Sequence, residues 1–173
     1  MLSAAEIKRL FQMLNDELGR EEVYGELYLV GGAVMCLVHA VRPATRDVDA
    51  LFKPAQLVRR LANRVGLQAG LGSDWLNDAV KAYLSETGNF TSWLELDHLR
   101  ILVAQPEYLL AMKCLAMRIG EEFHDLDDVR FLLRYLNISN YAQAMEIIGR
   151  YYPRDNFPQK TLYALEELLG QHE

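Results

Sequence analysis

Asp47 and Asp49 flank Val48 in a run, Asp47-Val48-Asp49-Ala50-Leu51-Phe52, that alternates acidic with apolar side chains as a half-buried strand does. Residues two apart on a strand share a face, with Cα atoms about 6.6 Å apart, so two carboxylates can bind one divalent cation. Hard oxygen donors of this kind suit Mg²⁺ or Mn²⁺, and without a cation the pair repels itself. Upstream, Leu27-Tyr28-Leu29-Val30 reads as a buried strand ended by Gly31-Gly32. Two glycines between a strand and a helix let the backbone approach a ligand closely and offer amides to a phosphate. Taken singly, such glycines make a tight turn and such an Asp pair lies on a solvated strand face. Together they describe a phosphate cradle beside a metal clamp.

Further charged residues lie on apolar helical stripes or at their margins. Lys113 has Leu109, Leu110, Ala116 and Met117 as its helical neighbours, so its stem rises from an apolar stripe. Its ammonium must snorkel to solvent, find a carboxylate, or reach the Asp47/Asp49 site to neutralise a triphosphate. Asp125 lies on the side of the stripe Leu126, Val129, Leu132, Leu133 and Leu136, with Asp128 at its margin and Asp127 pointing away. Asp125 reads equally as an N-cap supported by Asp128 and as a site residue. Asp97 follows Glu95 by two residues.

The elements that must position these groups are readable from periodicity. A helix is expected from Ser3 to Gly19, with a Ser3/Glu6 capping box, and another from Ala33 to Val41, ended by Arg42-Pro43. A third starts at Pro54 and runs to Val65. The glycine-punctuated stretch 66–90 holds an amphipathic segment, Asp74 to Leu84, which reads as helix. Leu94 to Asp97 and Leu99 to Val103 form either a hairpin or one longer strand. Helices follow over Pro106–Ile119, Asp125–Leu136, Tyr141–Tyr151 and Pro158–Leu169. The expected class is α/β (α+β): a small mixed sheet with flanking helices in residues 1–105 and a helical part in residues 106–173.

One combination has a familiar order. A strand ending in Gly-Gly, a helix, and Thr45-Arg46-Asp47-Val48-Asp49 resembles the nucleotidyltransferase superfamily typified by DNA polymerase β. More closely, Gly31-Gly32-Ala33-Val34-Met35 with Arg42-Pro43-Ala44-Thr45-Arg46-Asp47-Val48-Asp49 looks like the minimal nucleotidyltransferases of abortive-infection and toxin–antitoxin systems. Pro106-Glu107-Tyr108-Leu109-Leu110-Ala111-Met112-Lys113, then Ala116-Met117-Arg118 and Asp125-Leu126-Asp127-Asp128-Val129, is similar to that group's second conserved region. The resemblance spans about residues 27 to 133, with little specificity between 53 and 93. It implies a nucleotidyltransferase sheet and Mg²⁺ or Mn²⁺ on Asp47 and Asp49, joined by Asp97 if it faces them. A nucleoside triphosphate would be held by Gly31, Gly32 and Thr45, and Lys113 would counter charge on the leaving pyrophosphate. Asp125 or Asp128 would pair with Lys113 or complete the site. The implied acceptors are tRNA 3′ ends and protein hydroxyls, and the implied partner is an antitoxin. Two alternatives stay open: an inactive binding protein that keeps the fold, and a small-molecule enzyme of the aminoglycoside-modifying type.

Composition bounds these readings. The 173 residues are 51% hydrophobic and carry 18 basic against 24 acidic side chains, a net charge of −6, as a folded globular chain does. That length is enough to bury roughly 70% of the unfolded chain's surface. The negative balance gives no whole-protein attraction for phosphate backbones, so RNA would need a local patch. Arg59, Arg60 and Arg64 are the available ridge, beside the reading of a solvated helix face, and Tyr151-Tyr152 near Arg150 and Arg154 is a possible base-stacking pair. Cys36 and Cys114 read as buried free thiols, which fits a reducing cytoplasm, and neither a signal peptide nor a membrane span is expected. His39, His98, His124 and His172 lack the spacing of a zinc site.

Overall fold

The computed structural model describes residues 1–120 and 123–170. It divides into two compact units: Met1–Tyr83 with Phe90–Ala104, and Leu84–Asn89 with Gln105 onward. The fold is mixed α/β, a five-stranded mixed sheet flanked by helices, with a helical C-terminal region.

The first unit begins with a two-residue strand, β1 (Leu2–Ser3), and helix α1 (Ala4–Arg20). Ser3 caps α1 as expected: its Oγ accepts from the Glu6 amide at 3.2 Å and donates to the Glu6 carboxylate at 3.1 Å. Then come β2 (Gly25–Val30), α2 (Gly32–Leu37), β3 (Ala44–Thr45), β4 (Val48–Lys53) and α3 (Ala55–Gln68). Strands β5 (Leu76–Asn77), β6 (Phe90–Glu95) and β7 (Leu99–Ala104) complete it. The sheet order is β5-β4-β2-β7-β6, antiparallel at β4/β2 and β7/β6 and parallel at β5/β4 and β2/β7. Strands β1 and β3 pair separately, Leu2 opposite Thr45.

Register fixes what each face carries. Leu27 lies opposite Phe52 and Ile101, and Leu29 opposite Ala50 and Val103, so one face is a continuous apolar layer. Helices α1 and α3 pack on each other and on β7 and β4, burying Ile7, Phe11, Leu14, Val58, Leu61 and Val65. Between the two helices the buried Glu17 carboxylate accepts from Arg20 at 2.6 Å, Arg64 at 3.2 Å and Gln68 at 3.4 Å. The opposite face carries half-buried Tyr28, Asp49 and Leu51.

Four expected helices differ: those read as Pro106–Ile119 and Tyr141–Tyr151 end at Leu115 and Ile148, and two others change more. Helix α2 stops at Leu37, short of Val41, because Ala40 takes a left-handed φ of 54° and the Val41 amide turns back to the Met35 carbonyl. The stretch Asp74 to Leu84 is not one helix but β5 followed by a 3-10 turn at Ala79–Tyr83. Tertiary bonds override its amphipathic pattern: the Trp75 indole donates to the Ala62 carbonyl at 2.8 Å, and the Val48 amide donates to the Trp75 carbonyl at 2.7 Å. These bonds set Leu76 and Asn77 beside β4.

The second unit holds α4 (Pro106–Leu115), α5 (Asp125–Tyr135), α6 (Tyr141–Ile148) and α7 (Gln159–Leu169). Segment Leu84–Asn89 is tied to them by the Ser85 amide on the Tyr108 hydroxyl at 2.9 Å and the Thr87 hydroxyl on the Arg150 carbonyl at 2.9 Å. The tyrosines once read as a base-stacking pair are used in packing. Tyr151 stacks on Tyr108 with ring centroids 5.1 Å apart, and buried Tyr152 meets Phe157 edge-on. No described helix is long and apolar enough to cross a membrane.

Trp75 links α3, β4 and the strand that ends in Asn77, so its truncation is expected to cost about 3–5 kcal/mol. Urea denaturation of Trp75→Ala against the wild type measures this as a drop in ΔG of unfolding.

Candidate functional site

The C-terminal end of β2 makes the sharpest bend of the first unit. Gly31 has φ 70° and ψ −152°, a conformation that L side chains rarely adopt. Val30 lies opposite Asp49 in the β2/β4 ladder, so the bend and the carboxylate arrive at the same end of the sheet. A Cβ on Gly31 would stand 3.1 Å from Asp49 Oδ2. A Cβ on Gly32 would stand 2.7 Å from the Thr45 hydroxyl and 3.0 Å from Arg42 Nη1. The positive φ favours glycine at position 31, and at position 32 the Thr45 hydroxyl would have to shift to admit a Cβ; Asp49, Thr45 and Arg42 gather around the pair.

Asp47 immediately precedes β4 and, like Asp49, is half-buried, while Val48 and Ala50 are buried between and beyond them. The expected alternation is present. The Thr45 hydroxyl donates to the Asp47 carbonyl at 3.4 Å, and the Asn77 amide donates to Asp47 Oδ2 at 3.3 Å. Asn77 is also in register with Asp49 across the parallel β4/β5 pair. Arg42 and Asn77 are the site residues that motif reading missed. Arg42 stood in the quoted motif without a role, and Asn77 lay in a segment read as helix, with no motif to mark an amide.

Asp97 is not brought to this pair. It occupies the three-residue turn between β6 and β7, where the Leu96 amide donates to the Leu99 carbonyl at 2.8 Å and the Gly25 amide to the His98 carbonyl at 2.9 Å. That turn abuts the Gly25 end of β2, and Asp49 abuts the Val30 end, a rise of about 16 Å along the strand. Of the hairpin and the single longer strand, the structure shows the hairpin, and the chain reverses at Asp97. Asp97 as third metal ligand is corrected accordingly.

Asp47 and Asp49 are the residues that could hold Mg²⁺ or Mn²⁺. Magnesium keeps several waters and is commonly held by one or two carboxylates together with substrate phosphates. Asp47 and Asp49 supply two hard oxygen donors beside a turn with no room for a Cβ. Among the described residues, no three His, Cys, Asp or Glu side chains form a metal-holding group, so a dedicated protein cage is not what this pair provides.

The second unit contains its own charged cluster. Lys113, on α4, is nine-tenths buried and reaches Asp125 Oδ1 at 3.1 Å and Asp128 Oδ2 at 2.7 Å. Asp125 also accepts from the Arg118 backbone amide and from its Nε, each at 2.9 Å. Of the alternatives for Lys113, the structure shows the carboxylate partner. Of those for Asp125, it excludes the cap: His124 is the N-cap residue, and Asp125 is the first residue of α5, turned toward Lys113 and Arg118. Asp128 is buried and paired, not marginal, whereas Asp127 is exposed and pairs with Arg130 at 3.0 Å. Burial alone raises the Asp125 pKa, but the Arg118 and Lys113 bonds outweigh it and hold the carboxyl below its ordinary value.

The arginine ridge of α3 is already matched by acids. Arg59 pairs with Asp78, Arg60 with Glu21 at 2.9 Å, and Arg64 with Glu17 at 3.2 Å. Cys36 and Cys114 are free and buried, and burial pushes the Cys114 thiol up to about 12. His172 lies outside the described residues. Comparison of the chain with protein-family models, curated proteins and solved structures finds no match.

Because the folded pKa of Asp125 is depressed, its stabilisation is fully present above the unfolded value of about 3.9 and is lost as pH falls through the lower folded value. Asp125→Asn removes one partner of a buried ion pair and is expected to cost about 3–5 kcal/mol at pH 7. Urea midpoints from pH 7 to pH 2 check both: the gap between wild type and variant narrows only at the acid end.

Proposed function

We propose that this chain is a Mg²⁺- or Mn²⁺-dependent nucleotidyltransferase of the polymerase β-like kind. It moves a nucleotide from a nucleoside triphosphate to an RNA, tRNA foremost, or to a protein hydroxyl, as one component of a toxin–antitoxin pair in the cytoplasm. The observation that carries the reading is the gathering of Asp49, Thr45 and Arg42 on Gly31 and Gly32, with Asp47 two residues before Asp49. The sheet then counts as a nucleotidyltransferase sheet, with the nucleotide at the end of β2 and β4.

The chain's own groups have separable tasks. Asp47 and Asp49 hold the divalent cation, whose chemistry when bound is to polarise phosphate oxygens and neutralise their charge. Gly31 and Gly32 keep the backbone free of side chains where phosphates approach, and the Thr45 hydroxyl and Arg42 guanidinium donate to phosphate oxygens. Asn77 keeps Asp47 in place. Lys113, in the other unit, is held by Asp125 and Asp128. In the transfer, an acceptor oxygen bonds to the α-phosphorus and pyrophosphate leaves.

One observation favours a second reading, a non-catalytic binding protein of the same fold. Asp97 lies at the far end of β2, and the neighbouring strand presents a neutral amide, Asn77, beside Asp49. A small-molecule acceptor of the aminoglycoside type is a third arm of the same experiment.

Purified protein is incubated with Mg²⁺ or Mn²⁺, each labelled nucleoside triphosphate, and total tRNA, cell lysate or an aminoglycoside panel. Label is expected on tRNA or protein, lost with chelator, and reduced at least about 100-fold in Asp49→Ala, the scale of deleting one electrostatic contributor to a transition state. Metal-dependent nucleotide binding without transfer supports the binding protein. No transfer and no binding by calorimetry overturns the proposal.

A further inference from the structure

The two carboxylates of the candidate site are placed by different ladders. Asp49 lies within β4, and its position follows from the five-stranded sheet, where Val30 faces it. Asp47 lies outside that sheet, in the two-residue link Arg46–Asp47 between β3 and β4. One end of the link is fixed where β4 begins at Val48, whose amide donates to the Trp75 carbonyl at 2.7 Å. The other end is Thr45. There the strand partner of β3 is β1, with Leu2 opposite Thr45 and Ser3 opposite Ala44.

Strand β1 is held from several sides. Leu2 is 4% exposed, and Ser3 makes the capping exchange with Glu6 that starts α1. Ala4, next in the chain, brings its backbone amide to the Cys36 thiol on α2, the helix that follows Gly31. Helix α2 also packs on β3. The segment Leu2–Ala4 therefore meets both stretches that approach the glycine bend, α2 beyond Gly32 and β3 before Asp47. Thr45 transmits that placement. It is buried, its hydroxyl donates to the Asp47 carbonyl at 3.4 Å, and the same hydroxyl lies 2.7 Å from where a Cβ on Gly32 would stand. A two-stranded pair this short is marginal by its backbone bonds alone, so the burial of Leu2 is what keeps it closed.

We infer that β1 is a positioning element of the candidate site: the buried Leu2 closes the β1/β3 pair, and the closed pair sets Thr45 and Asp47 for the cation and the phosphates. The inference rests on the nucleotidyltransferase reading and adds Leu2, a residue with no ligating side-chain atom, to the groups on which the site depends. Opening of the pair frees the stretch 44–47 while Asp49, in the main sheet, stays in place. A carboxylate pair loses its common geometry when one member moves, and a misplacement of about 1 Å can cost about 100-fold in a reaction.

Two variants separate positioning from stability. Leu2→Ala shortens the buried side chain and keeps the α1 cap, whereas Ser3→Ala removes the cap hydroxyl and keeps the backbone pairing. Both are expected to melt below wild type. Only Leu2→Ala is expected to speed amide hydrogen exchange over residues 44–47, by about 10-fold or more, with Ser3→Ala within about twofold of wild type and the β2/β4 amides protected in both. Mn²⁺ alone, followed by electron paramagnetic resonance, is expected to bind Leu2→Ala about fivefold more weakly, and labelled transfer to slow about 10-fold, with Ser3→Ala like wild type in each. Leu2→Met, which conserves volume, is expected to restore exchange and binding. Unchanged exchange over 44–47 in Leu2→Ala, or equal acceleration in Leu2→Ala and Ser3→Ala, overturns the inference. Leu2→Val carries the same comparison if Leu2→Ala does not fold. If wild type binds neither Mn²⁺ nor nucleotide while residues 44–47 still open selectively, nucleotidyl transfer is what has failed, and the dependence of Thr45 and Asp47 on β1 stands.

Discussion

The antiparallel pairing of β2 with β4 sets Val30 opposite Asp49, and the rest of the candidate site depends on that register. A slip of one residue would turn Asp49 toward the apolar layer of Leu27, Leu29, Ala50 and Phe52, and bring Val48 or Ala50 to the Gly31 bend. The core resists such a slip, because every buried side chain of β4 would have to move to the solvated face. Precision at the site is thus a by-product of packing several residues away. The edge strand β5 adds to it at little length: two residues, pinned by the Val48 amide and the Trp75 indole, suffice to place Asn77 beside Asp49 and against Asp47.

Two arrangements solve the problem of a charge held close to a core. In the first unit, Glu17 is buried and gathers long donors from α1 and α3, whose arginine stems remain substantially exposed. Its partners can rearrange into water at modest cost. The Lys113 cluster is different, since the ammonium and both carboxylates are buried and none has water as a ready substitute. Replacing such a group by a hydrophobic residue is often neutral for stability, so its presence has to be accounted for by what it fixes. Here it ties the start of α5 to α4 through Lys113, and to the segment after α4 through Arg118.

Legibility followed the range of the interactions. The strands at Leu27–Val30 and Asp47–Phe52, the glycine bend and the apolar surroundings of Lys113 are local patterns, and each is present in the structure. Spacing did not decide between a hairpin and one longer strand around Asp97, because a short reversal leaves little mark on an alternating pattern; Glu95 and Asp97 are two apart in sequence but do not share a strand. Asp128 looked marginal because a position judged by the apolar stripe alone gives no weight to a buried cation on another helix. The α3 arginines looked like a basic ridge because their partners, Asp78, Glu21 and Glu17, lie 19, 39 and 47 residues away. Asn77 was hidden twice, by a misleading helical pattern and by having no charge.

Those arginine pairs also sharpen what the net charge of −6 means for an acceptor. Affinity for a nucleic-acid backbone comes largely from cations that displace counterions, and a cation already facing a carboxylate displaces fewer. With Arg59, Arg60 and Arg64 engaged by acids, α3 presents a mixed surface and not a basic one. A long polyanion therefore gains little from the chain as a whole. A triphosphate would not depend on that balance: a divalent cation would cancel the two charges of the Asp47/Asp49 pair and leave the Arg42 guanidinium, beside Thr45, as the net positive charge. The two substrates of the proposed reaction would then be recognised by different physics, the nucleotide by a small site whose acidic charge a cation cancels, and an RNA acceptor by directed contacts at its end.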